Sequence, residues 1–132
     1  MAKRKEKELP RPTDAELEIL RVLWDRGPST VREVQETLSD RKAIGYTTAL
    51  KLMQIMTEKG LVTRDESRRS HVYRARASAQ KTQRRLVADL LNRAFAGATD
   101  QLVIQALSTK PVSREELNEI RSVLDEMEDE LK

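Results

Sequence analysis

Cysteine is absent from the 132 residues, and the only histidine is His71. With no thiol and one imidazole, a single chain cannot assemble a disulfide framework or a structural zinc site, so no metal and no cofactor is expected. Aromatic residues make up only 3% of the chain against 36% charged, which suits amphipathic helices better than a large sheet core. No apolar run approaches the roughly 18 residues needed to cross a bilayer, and Met1-Ala2-Lys3-Arg4-Lys5-Glu6-Lys7 leads into no hydrophobic segment of the signal-peptide kind. A cytoplasmic location is expected. The four glycines sit at element boundaries and form no phosphate-cradling loop. No nucleophile-base pair and no cluster of metal ligands is apparent, so the chain is not expected to be an enzyme.

Charge, by contrast, is plentiful and unevenly placed. Eight basic residues (Arg64, Arg68, Arg69, Arg74, Arg76, Lys81, Arg84, Arg85) stand against Asp65 and Glu66 between positions 61 and 85. Between 111 and 132 the balance reverses, with three basic residues against eight acidic ones. One part of the chain favours a polyanion and the other avoids it.

Residues 1–11 are basic, hold a proline at position 10 and lack apolar periodicity, and so read as a disordered arm. Thr13-Asp14-Ala15-Glu16 then fits a capping box, followed by a stripe of Leu17, Leu20 and Trp24 with Ile19 and Leu23 beside it. Gly27-Pro28 ends that helix. Thr30-Val31-Arg32-Glu33 repeats the box ahead of Val34 and Leu38. A third helix runs from Gly45 to Lys59, with Ala49, Leu52, Met53 and Met56 as its inner face. At Leu61 the period changes: Leu61–Arg64 and His71–Arg74 are β-prone and flank a polar, arginine-bearing turn. Three helices and a basic hairpin, residues 12–77, are the order of a winged helix-turn-helix.

From Ser78 the helical period returns, and residues 78–132 read as a helical dimerisation tail. Leu86, Leu90, Leu91 and Phe95 mark one helix and Leu102 the next; Ser113-Arg114-Glu115-Glu116 then opens the last with a third capping box. On that last helix Leu117, Ile120, Leu124, Met127 and Leu131 recur in steps of 3 and 4, the spacing of a seam against a partner. The fold class expected is mainly α with a small β-hairpin.

If Ala49, Leu52, Met53 and Met56 face inward, the 3.6-residue period turns Thr47, Thr48, Lys51 and Gln54 outward together. These side chains suit base edges: glutamine pairs with adenine, lysine reaches guanine, and threonine offers a hydroxyl and a methyl. The plainer alternative is a solvated helix face, which predicts neither the preceding short helix nor the basic hairpin after it. His71 on a hairpin strand is read as packing or facing phosphate, and the acids from Asp125 to Glu130 as a solvated face.

Leu17-Glu18-Ile19-Leu20-Arg21-Val22-Leu23-Trp24, Thr30-Val31-Arg32-Glu33-Val34, Tyr46-Thr47-Thr48 and Lys59-Gly60-Leu61-Val62, with the Arg68-bearing turn and Tyr73, resemble the penicillinase-repressor (BlaI/MecI/CopY) family. The resemblance implies a winged-helix homodimer on an inverted-repeat DNA operator, joined through its C-terminal helices. It also implies Tyr46, Thr47, Thr48, Lys51 and Gln54 in the major groove, with Arg68, Arg69, His71 and Arg74 at the backbone. Lys51 stands where many relatives have Thr and Ile55 where many have Arg, so the operator sequence does not transfer. A membrane-bound metalloprotease sensor cuts some relatives at an Asn-Phe bond that aligns with Gln105-Ala106 here, so that cleavage does not transfer either. The copper-responsive mechanism needs a cysteine motif and is excluded. The rival reading is a winged-helix module that docks a protein partner and binds no specific DNA.

Overall fold

The computed structural model describes residues 10–41 and 43–132. Its elements run α1 (Asp14–Arg26), α2 (Val31–Ser39), α3 (Tyr46–Lys59), β1 (Val62–Asp65), β2 (Val72–Ala75), α4 (Ala79–Phe95), α5 (Thr99–Thr109) and α6 (Arg114–Leu131). All but two residues of the basic arm expected at 1–11 lie outside the described residues.

Three helices start where a capping box fixes them. Thr13, Thr30 and Ser113 each accept the amide of a glutamate three residues on, and that glutamate accepts the cap residue's own amide. Two donors left orphaned by the start of a helix are thus satisfied by one side-chain pair. At the far end of α3, Gly60 sits at φ 85°, and its amide and that of Leu61 both return to the Met56 carbonyl. That left-handed residue stops the helix within one residue of the first strand.

The core gathers Ile19, Leu20, Val22 and Leu23 of α1, Val31, Val34 and Leu38 of α2, Ala49, Met53 and Met56 of α3, and Leu61, Val62 and Tyr73. Leu17 and Trp24, expected on the inner stripe of α1, lie instead at its edge and are partly covered, as is Leu52 on α3. Trp24 reaches past the core to donate its indole N–H to the Ala77 carbonyl at 2.9 Å.

β1 and β2 pair antiparallel, with Arg64 opposite Tyr73 and Asp65 opposite Val72. Each strand begins one residue later than its sequence pattern suggests, β1 at Val62 because the Leu61 amide is taken up in capping α3, and β2 at Val72. The other edge of β2 is paired as well: Ser29 and Tyr73 exchange both backbone hydrogen bonds, at 2.9 and 2.8 Å. The connection from α1 to α2 therefore supplies a third, one-residue strand.

Compact packing divides the chain inside α4, into a unit ending at Ala88 and one spanning Asp89–Lys132. The return of helical periodicity points to 77/78, but Thr82 on the first turns of α4 is buried within the first unit. In the second unit, α4 ends at Phe95, and Gly97 just beyond it, at φ 83°, returns its amide to the Leu91 carbonyl. Neither α5 nor α6 has a buried residue.

Glu16 does two jobs in the first unit. Besides closing the α1 capping box, its Oε1 accepts the Lys59 ammonium at 2.7 Å, tying the start of α1 to the end of α3. Burial raises the pKa of this carboxyl, yet Lys59 and the Thr13 amide outweigh it and hold the group below its ordinary 4.5. A lowered value means that the ion pair stabilises the fold fully above pH 4.5, and that this stabilisation fades as the pH falls through the lower, folded value. Glu16→Gln keeps the capping acceptor and drops the charge. It is expected to cost about 1–2 kcal/mol at neutral pH, with the difference from wild type closing in acid, as followed by urea unfolding against pH.

Candidate nucleic-acid interface

The short α2 is followed by the longer α3, which starts from the extended backbone of Gly45. Since Ala49, Met53 and Met56 are buried, the helical period leaves Thr47, Thr48, Lys51 and Gln54 exposed in one row, as the sequence implied. Tyr46, on the first turn of α3, is 42% exposed, and Ile55 is also exposed.

At the hairpin tip, Asp65 accepts the Ser67 amide at 2.9 Å. That bond, with the Ser67 side chain and the charges of Arg74 and Arg68, holds the Asp65 carboxyl below its usual range. Arg64 is committed within the wing: its guanidinium is kept charged beyond the ordinary arginine value by the Tyr73 hydroxyl and then by Glu66, with which it forms an ion pair. Arg68, Arg69, His71 and Arg74 are all exposed.

The structure brings part of the proposed set together. Tyr46 and Leu50 from α3, Thr30, Val31 and Arg32 from α2, and Arg69, Ser70, His71 and Tyr73 from the wing line one open cleft of about 430 Å³. None of its lining side chains is acidic. Thr47, Thr48, Lys51, Gln54, Arg68 and Arg74 do not line it and face solvent outside it. Arg32 was missed in the sequence. Its guanidinium carbon lies 5.1 Å from the centre of the Tyr46 ring, a contact between two helices that no spacing rule along one helix reports.

Of the tail residues, Leu86, Leu91, Phe95, Leu102 and Ile120 are partly covered, whereas Leu90, Leu117, Leu124, Met127 and Leu131 are exposed. Leu124 and Met127 expose 54% and 57% of their surface, and Leu131 exposes 86%. Ile104 on α5 and Val123 on α6, absent from the sequence-derived seam, are exposed too.

Three helices, a hairpin joined to the inter-helix connection, and an outward polar row on the third helix define a winged-helix protein. The chain belongs to the penicillinase repressor family, whose sequence profile matches residues 12–126. It is 35% identical over 124 residues to the transcriptional regulator BlaI of Mycobacterium tuberculosis, covering 91% of this chain and 87% of that one. It is 27% identical over 120 residues to the penicillinase repressor of Bacillus licheniformis, covering 91% and 94%. Among solved structures, the solution structure of monomeric Bacillus licheniformis BlaI in complex with the blaP half-operator has a TM-score of 0.49 at 25% identity, over 55% of this chain and 89% of that one. The family's characterised members are regulators of transcription and not enzymes.

Proposed function

We propose that the protein is a dimeric transcriptional repressor that occupies an inverted-repeat DNA operator and blocks transcription by steric exclusion. The observation that carries this reading is the outward row Thr47, Thr48, Lys51 and Gln54 on a helix whose reverse face is buried. In a helix-turn-helix the second helix enters the major groove, so this row meets base edges while Arg68, Arg69, His71 and Arg74 meet phosphates. Residues 12–77 carry DNA reading. The helices from residue 78 onward carry the dimer, since Leu117, Leu124, Met127 and Leu131 leave an apolar face open to solvent. A two-fold protein then implies a two-fold site, with half-sites about one helical turn or a multiple apart.

Two variants separate reading from gripping. Thr48→Ala or Lys51→Ala is expected to relax operator preference by about 1–3 kcal/mol, with little change on unrelated duplex. Arg68→Ala should weaken operator and unrelated duplex alike and make the salt dependence shallower by about one ion. Anisotropy titrations over a salt series on operator fragments selected from random duplex measure both; an Arg68→Ala protein with the full salt slope would remove the wing from the interface. A protein-docking module would show almost no salt slope.

No described helix is long and apolar enough to cross a membrane, which suits a cytoplasmic DNA-binding role. Release by a membrane-bound metalloprotease sensor rests on the family resemblance. Gln105 and Ala106 are both exposed on α5, but a protease takes its substrate extended, so cleavage there requires α5 to unwind.

A further inference from the structure

We infer that Arg32 is an additional DNA-backbone contact, held on the Tyr46 ring so that it and Arg69 grip one phosphodiester strand within the cleft between α2, α3 and the wing. This rests on the DNA-binding reading above and extends it to a residue outside the recognition helix and the wing.

Three observations meet at the cleft. It is open and mostly polar, so it suits a strand passing through better than an enclosed small molecule. Its lining includes Arg32, Arg69 and His71 and no carboxylate, so a phosphate there meets no opposing charge within the wall. Arg32 is the second residue of α2, and in a helix-turn-helix the first of the two helices crosses the backbone and does not read bases.

The stacking gives Arg32 its particular value. An exposed arginine ordinarily loses side-chain freedom when it engages a ligand, and a ring beneath the guanidinium restricts that freedom beforehand. The 5.1 Å contact holds the guanidinium over the ring, and a planar fork so placed can pair with two phosphate oxygens. Tyr46, placed by the family resemblance among the groove-reading residues, then acts as the platform for a backbone contact.

The test uses the full-length protein with anisotropy titrations on operator and on unrelated duplex over a salt series. Arg32→Ala is expected to lose about tenfold in affinity on both duplexes and to make the salt slope shallower by about one. Arg32→Lys should keep the slope but recover only part of the affinity, because an ammonium cannot lie flat on the ring. In a Tyr46→Leu background, Arg32→Ala should add less than a threefold loss, since the platform has gone. Because Arg32 is exposed, its variants should melt with the wild type, which separates loss of contact from loss of fold.

An Arg32→Ala protein with wild-type affinity and slope overturns the inference while leaving operator binding by the wild type intact. A loss confined to the operator makes Arg32 a base reader and overturns it as well. An undiminished tenfold effect in the Tyr46→Leu background overturns the platform. If the wild type itself bound no duplex in a salt-dependent way, the failure would lie with the DNA-binding reading.

Discussion

A chain carrying Leu117→Glu and Leu124→Glu is expected to sediment as a monomer and to lose about 10²-fold or more in operator affinity. Both leucines lie on α6, where no residue is buried, and they expose 38% and 54% of their surface. An apolar face of this size in water is unfavourable by about 25 cal/mol for each Å² that a partner would cover. Two carboxylates in the middle of the seam would have to be desolvated without a cation opposite, against a helix already crowded with acids. Dimer formation should fail for that reason and not because α6 unfolds: its Ser113–Glu116 capping box is untouched. The loss in DNA affinity follows from linkage, since each half-site then binds without the effective concentration that the second provides. Circular dichroism should report unchanged helix content, and sedimentation showing a wild-type dimer would place the interface elsewhere.

Tyr73→Ala should produce the largest change in stability, about 3–5 kcal/mol, the range for removing a buried aromatic ring. For a winged-helix unit of this size that corresponds to a fall of roughly 15–30 °C in melting temperature. Tyr73 is only 1% exposed, packs in the core, and exchanges two backbone hydrogen bonds with Ser29. Tyr73→Phe keeps the ring and loses only the hydroxyl beside Arg64, so it should cost about 1 kcal/mol. Thermal melts of the two variants separate ring from hydroxyl; equal losses would mean that the polar contact dominates.

What the sequence disclosed follows a physical pattern. The three capping boxes were legible because each is closed within four residues by groups of known reach. The inward row of Ala49, Met53 and Met56 was legible because α3 buries one face and leaves the opposite one wet. Contacts between elements were not. The Ser29–Tyr73 pairing involves one residue of a connection, too short to leave a period, and the Arg32–Tyr46 stack depends on how two helices meet. The α1 stripe was misjudged at Leu17 and Trp24 because three elements press on that helix, and Val22 is drawn into the core in their place. On α6 the exposed Leu117, Leu124, Met127 and Leu131 follow the spacing read from the sequence, whereas the exposed Val123 falls outside two positions in seven and escapes a search for that repeat.

The bridge at Ser29 has a mechanical side. A hairpin attached only at its own two ends can sway, and its arginines would then settle on the duplex wherever the nearest phosphates happened to lie. On the proposed DNA-binding reading, pinning the returning strand to the connection ahead of α2 would make hairpin and helices act on the duplex as one caliper. Such a tool measures shape as well as charge, so duplexes whose groove is too narrow or too wide should be rejected even when their bases are right.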